Sequence, residues 1–280
     1  MLTVTKAIFL ALIQAITEWL PISSSGHLVL FQELFGLKDQ IAFDLLLHVA
    51  TLFVVVFIFR KDIINIIFAF LRGLRELYFH RSWKKFSEEE NVRLGLFVIV
   101  GTIPIVIIGL SLRDLVEQAF SNLLYVAIAF IFTGFLLWLT KYKVSKFASH
   151  KGYGVKDMKF KDAFLVGLFQ SVAIFPGVSR SGSTIAGGMI TGFERNLAAK
   201  FSFLLFIPAI LGATILQLND FVISEAQIVP YIVGFVVAAA ASYFVIETLL
   251  ALVRKGKLHL FSYYCWFIGI VTLVIYFLLL

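Results

Sequence analysis

One cysteine and five prolines in 280 residues, and only 15% charged side chains, are the first facts of this sequence. A single thiol, Cys265, excludes a disulfide within the chain and any cysteine metal cluster, and it reads as a small buried or lipid-facing filler. So little charge beside 60% hydrophobic and 16% aromatic residues excludes an ordinary soluble domain. Period-two alternation is also missing, which argues against a membrane β-barrel and for helices. The excess of base, 24 Lys and Arg against 17 Asp and Glu, might suggest a nucleic-acid partner, yet most of these cations stand in short connectors between apolar blocks. That placement is a topology signal, and no nucleic-acid partner is expected. The first residues carry only one cation, Lys6, and no small-x-small cleavage site, so no removable leader is expected.

What is there is a set of long apolar blocks. Six are long enough to cross a bilayer, at 41–59, 94–112, 122–140, 197–218, 228–252 and 259–280. Two more, 7–20 and 162–175, are too short, and each runs into a backbone breaker, Pro21 or Pro176-Gly177. The connectors 60–93 and 141–161 and the turn Arg254, Lys255, Lys257 are rich in base, with Arg81, Lys84, Lys85, Lys143, Lys146 and Lys151 among them. Those around 113–121 and 219–227 carry Asp114, Glu117, Asp220 and Glu225. The first group should be cytoplasmic and the second outward, which works only if each short block enters the membrane and returns to its own side. The fold expected is an all-α integral membrane protein, one domain over 1–280, with six spanning helices and two re-entrant helix-loop-helix pairs.

The two short blocks share a grammar. QAITEWLPISSSGHL at 14–28 and QSVAIFPGVSRSGST at 170–184 align at a constant offset, pairing Gln14 with Gln170, Trp19 with Phe175, Ser23 with Ser179, Ser25 with Ser181 and Gly26 with Gly182. Three crossings separate them, so they should enter from opposite faces as parts of inverted repeats, about 1–140 and 160–280, that meet near the midplane and frame a site.

In each copy a serine, Ser23 or Ser179, stands where the N-cap of a second half-helix belongs. Helix N-termini attract anions, and two of them rimmed with Ser23, Ser24 and Ser25 and with Ser179, Ser181, Ser183 and Thr184 suit a diphosphate. Arg180 fits that choice, because an arginine at membrane depth costs roughly 3 kcal/mol and rarely stays without an anionic partner. Gln14 and Glu18 stack on one helical face and suit a shared Mg2+ or Ca2+ with phosphate oxygens, although Glu18 could equally be a general base. His27, within one turn of Ser23 and Ser24, supplies a proton carrier for phosphoryl transfer. His48, with Asp44 on the same face, is a weaker candidate for a supporting role, while His80, His150 and His259 read as solvent or headgroup contacts. Gly182, Gly187, Gly188 and Gly192 read as close-packing positions.

At these residues the chain resembles the undecaprenyl-diphosphatase family of bacteria, integral-membrane enzymes also known as bacitracin-resistance proteins. One family motif matches Gln14, Glu18, Pro21, Ser23, Ser24, Gly26 and His27, the other Pro176, Gly177, Ser179, Arg180, Ser181 and Thr184. The resemblance implies hydrolysis of undecaprenyl diphosphate to undecaprenyl phosphate at the outer side of the plasma membrane, which recycles the carrier lipid for peptidoglycan and confers bacitracin resistance. It also implies a divalent metal and an essential set of Glu18, Ser24, His27 and Arg180, with Gln14, Ser179 and Thr184 close by. Position 14 is Gln where many members have Glu, so two carboxylates are not available to a metal. Ser24 and a water held by the metal remain alternative nucleophiles. A transporter or flippase of a polyprenyl phosphate, or an anion channel, are the competing classes, since broken helices in inverted repeats also serve alternating access. Oligomeric state is not legible.

Overall fold

A computed structural model describes residues 1–37, 40–80, 89–147, 152–217 and 224–279. Arg81, Lys84, Lys85, His150, Lys151 and Asp220, and the side chains of His80, Lys143 and Lys146, lie outside the described residues. Twelve α-helices account for most of the described residues, and no β-strand occurs among them. Six of these are long and apolar enough to span a membrane: α3 (Ile41–Ile58), α5 (Glu90–Ser111), α7 (Leu123–Phe147), α10 (Arg195–Leu216), α11 (Ile228–Arg254) and α12 (Phe261–Leu279). The six apolar blocks of the sequence are therefore six helices.

The short blocks form two hairpins of half-helices, α1 (Val4–Trp19) with α2 (Ser24–Leu34), and α8 (Phe160–Val172) with α9 (Arg180–Thr191). At 1.5 Å per residue, none of the four reaches the roughly 30 Å of a hydrocarbon core. Each hairpin returns to the end it started from. Lys6 Nζ donates to the Phe35 carbonyl at 3.0 Å and Phe9 packs edge-on against Phe31, which closes the mouth of the first. In the second, Tyr153 N donates to Gly192 O at 3.1 Å, where Gly192 ends α9 in the left-handed region at φ 115°.

The mouths lie at opposite ends of the bundle. The first shares an apolar cluster of Leu2, Leu37, Phe43 and Tyr231 with the starts of α3 and α11. The second sits beside the end of α11, where Arg195 donates to the Arg254 carbonyl at 3.0 Å. Basic side chains hold that second end together: Lys200 pairs with Asp62 at 2.5 Å and Arg93 donates to the Met158 carbonyl at 2.7 Å. Packing is exchanged accordingly, α1 lying along α11 and α8 along α5, while α7 lies along α12.

One connector is more ordered than its composition suggests. Residues 60–80 form a helix, α4 (Arg60–His80), whose Ile64, Ile67, Phe68 and Leu71 are exposed beside Arg72 and Arg75. Its cations mask an amphipathic period, so it reads as a loop when only charge is counted. A shorter helix, α6 (Arg113–Phe120), fills the acidic connector, closed by an Arg113–Glu117 pair.

The core lies where the two hairpin tips meet. Trp19 packs edge-on against Phe203 and Phe206 of α10, all three fully buried. A Cβ on Gly26 would stand 2.8 Å from Gly177 Cα and 2.6 Å from the Phe130 ring, so only glycine allows the tips to touch there. Gly187 lies against Phe169 and Gly188 against Ala198, the close packing that their spacing anticipated.

Candidate functional site

The tips are built alike. Ser23 caps α2 by accepting from Gly26 N at 3.3 Å, and Ser179 caps α9 by accepting from Gly182 N at 3.0 Å. In both copies the cap hydroxyl also lies 3.3 Å from the hydroxyl two residues on, Ser25 or Ser181. Thr133 of α7 braces the second tip, donating to Gly177 O at 3.0 Å and accepting from Ser179 N at 3.2 Å. Ser23 holds φ 67°, ψ 101°, the one positive φ outside glycine among the described residues. Such a backbone costs about 1–3 kcal/mol and persists only where surrounding contacts enforce it.

Glu18 stands at the junction. Its Oε1 accepts from Arg180 Nη2 at 2.6 Å. Its Oε2 accepts from Ser24 Oγ at 2.5 Å and from Gln14 Nε2 at 3.1 Å, with His48 Nε2 3.5 Å away. The carboxylate is 6% exposed, and a buried charge of this kind survives only with such partners. Arg180 sits over the Phe206 ring, its Cζ 3.9 Å from the centroid, and that contact stabilises the guanidinium away from water.

Two polar atoms of this junction have no hydrogen-bond partner though buried: Arg180 Nη1 and Gln14 Oε1. A third, Ser183 Oγ, lies one turn along α9. Unpaired buried groups each cost about 1–3 kcal/mol, so these are the atoms with capacity for an anion or a cation. The remaining hydroxyls are engaged within the protein. Thr184 Oγ1 donates to Arg180 O at 2.8 Å and lies 2.5 Å from Ser202 Oγ, and Ser181 Oγ donates to Leu20 O at 3.3 Å.

The structure thus brings together Gln14, Glu18, Ser24 and Arg180, but it turns His27 elsewhere. The His27 ring meets Ser23 O through Nδ1 at 2.6 Å and the Tyr264 hydroxyl through Nε2 at 2.8 Å, stacked on Tyr264. Spacing did place Ser23 within reach, but it is the carbonyl, four residues back, that captures the ring. Neither ring nitrogen is directed at Ser24 Oγ. His48 occupies the place beside Glu18, held by its own backbone through Nδ1 to Asp44 O at 2.8 Å, while Asp44 Oδ1 accepts from Gln32. The signals for His48, Thr133, Ser202 and Tyr264 were single polar residues within apolar spans.

A family model described as "Bacitracin resistance protein BacA" matches residues 7–271. The chain belongs to that family. A protein of Carboxydothermus hydrogenoformans named undecaprenyl-diphosphatase is 43% identical over 279 residues, with 96% of each chain covered. Proteins of the same name from Alkaliphilus metalliredigens and Methanobrevibacter smithii are 42% and 39% identical, covering 98% and 96% of each chain. Both hairpins fall wholly or almost wholly inside the family match.

Proposed function

We propose that this chain is a phosphatase that cleaves undecaprenyl diphosphate to undecaprenyl phosphate and inorganic phosphate, a reading supported by relatives named undecaprenyl-diphosphatase. The observation that carries the chemistry is one carboxylate shared by a hydroxyl and a guanidinium from the two tips: Ser24 Oγ on Glu18 Oε2, Arg180 on Oε1. The diphosphate enters with its terminal phosphoryl at Ser24, and Arg180 Nη1, unpartnered on the protein, takes its equatorial oxygens. Ser24 Oγ forms the new O–P bond as its proton passes to Glu18 Oε2. The anhydride bond breaks, and undecaprenyl phosphate leaves as an anion that needs no proton. Water then attacks the phosphoserine phosphorus, the Oγ–P bond breaks as Glu18 returns the proton to Ser24 Oγ, and inorganic phosphate carries off the water oxygen with both of its protons.

His27 acts here as a positioning residue. Its Nδ1–H holds the Ser23 carbonyl and Tyr264 donates to its Nε2, which fixes the strained turn that presents Ser24. Ser23, Ser25, Ser179, Ser181 and Thr184 shape the tips, and Ser183 Oγ is free to reach a phosphate oxygen.

A divalent cation fits the donors present. Glu18 Oε2 and the unpartnered, buried Gln14 Oε1 are oxygens of the kind that Mg2+ or Ca2+ takes. Such a cation supplies positive charge to the phosphoryl oxygens. We place the protein in the plasma membrane, with the site reached from the extracytoplasmic side. The inverted halves, 1–140 and 160–280, find support in the opposed mouths and the exchanged packing of α1 and α8.

The test is phosphate release by the purified chain in detergent. Release that depends on metal and is abolished by Arg180→Ala supports the proposal; movement of intact lipid across liposomes without release overturns it. Quenching with terminally 32P-labelled substrate should leave label on wild-type protein and none on Ser24→Ala. Incorporation of oxygen-18 from water with no labelled protein at any time rejects the serine step.

A further inference from the structure

His48 is unused by this mechanism, yet its geometry is specific. Nδ1 lies 2.8 Å from the Asp44 carbonyl oxygen, which can only accept, so Nδ1 carries the hydrogen. Nε2 faces Glu18 Oε2, 3.5 Å away, and with the ring neutral it is the Nε2 lone pair that points there. Two lone-pair atoms facing each other in a buried site repel unless something positive lies between them. Gln14 distinguishes a metal from a proton. Its side chain is fully buried, its Nε2 is 3.1 Å from the same Oε2, and its Oε1 has no partner. A half-turn of the amide exchanges those two atoms and brings a third lone pair to the same point. A proton would engage Nε2 and Oε2 alone; a cation can take all three, with the amide nitrogen giving up its bond to Oε2. The other oxygen, Oε1 of Glu18, is already held by Arg180.

We propose that His48 Nε2, Glu18 Oε2 and Gln14 Oε1 form a mixed nitrogen and oxygen site for a divalent cation. Among the described residues no three His, Cys, Asp or Glu side chains converge, so the protein fills only part of a coordination shell. The rest is left to solvent or to the diphosphate, which is the open form expected of a catalytic rather than a structural metal. The open positions rest on the phosphatase reading, whereas the three protein atoms do not. An imidazole ligand moves preference away from Ca2+, which takes oxygen ligands, toward transition metals such as Zn2+ or Fe2+, and Mn2+ serves as the spectroscopic probe of the site.

Pulsed electron paramagnetic resonance of Mn2+ on the purified full chain reads this directly. Electron spin echo modulation from a bound imidazole nitrogen is expected, changing to the nitrogen-15 pattern when only histidine is labelled, a readout on unmutated protein that folding defects cannot imitate. His48→Gln should abolish the signal and weaken Mn2+ binding at least about tenfold, with a smaller change for Ca2+; His27→Gln should retain the signal. Absence of histidine modulation in the labelled wild type, or its survival in His48→Gln, overturns the site. Phosphate release measured on the same samples separates the two proposals. Release without imidazole coordination rejects the metal site alone, and coordination without release supports the site while rejecting the phosphatase reading.

Discussion

The first hairpin tip and the second are one scaffold used twice. Ser23 and Ser179 cap the same position, Ser25 and Ser181 make the same hydroxyl contact, and Gly26 faces Gly177 where Gly182 faces Pro21, the counterpart of Gly177. Their chemistry is unlike. The first residue of the second half-helix is Ser24 in one copy and Arg180 in the other, and both point at Glu18. The counterpart of Glu18 is Ile174, so a single carboxylate serves two equivalent helix starts. Gln14 bonds that carboxylate one turn away, while Gln170, with Ile174 at the same spacing, is buried with both amide atoms unpartnered. The two copies share the facing helix ends; the differences at positions 18/174 and 24/180 place a carboxylate, a hydroxyl and a guanidinium between them.

The sharpest way to break this asymmetry is to remove the cation. Arg180→Ala leaves Glu18 Oε1 without its partner and the phosphoryl oxygens without a guanidinium, and phosphate release should fall about 10³-fold or more. Glu18→Gln keeps the shape of the side chain but accepts no proton from Ser24, so kcat should fall by about 10²–10⁴-fold, measured on the same substrate. Ile174→Ala, on the side that lacks the carboxylate, should leave kcat within about threefold of wild type.

Much of the fold was legible because its rules are coarse. Block length and the basic connectors give six spans, and Pro21 and Pro176-Gly177 give two broken helices whose mouths lie at opposite ends, one of them beside Arg195 and Arg254. The helix α4 was hidden because its cations, not its apolar period, dominate composition. Within the site, Gln14 and Glu18 came from their spacing, Arg180 from a charge at membrane depth, and Ser24 from the hydroxyl cluster and the family motif. The place of His48 did not, because Glu18 and His48 lie on different helices and local spacing carries no information about which face of α3 meets α1. His27 shows the converse. One helical turn brought it near Ser23, but the ring bonds the carbonyl rather than a hydroxyl, a competition between backbone and side chain that spacing does not resolve.

Smaller effects test the shared scaffold. A methyl on Gly26 would stand 2.8 Å from backbone at Gly177, which cannot turn aside, so Gly26→Ala should destabilise the protein by about 1–3 kcal/mol in thermal unfolding followed by tryptophan fluorescence in detergent. At Gly182 the nearest atoms are Ser179 Cβ and Oγ at 3.0 Å and Pro21 Cβ at 3.2 Å, and the same substitution should cost less. The caps should differ in effect. Ser179 sits at φ −72°, ψ 119°, an ordinary extended backbone, so Ser179→Gly loses the cap hydroxyl and gains chain entropy on unfolding, destabilising by about 0.5–1 kcal/mol. Ser23 sits at φ 67°, where glycine is at ease and serine is not. Relief of about 1–3 kcal/mol is set against the few tenths lost with its cap and the same chain-entropy cost, so Ser23→Gly should unfold at or above the wild-type temperature. Destabilisation by both substitutions alike would mean that the first tip holds no more backbone strain than the second.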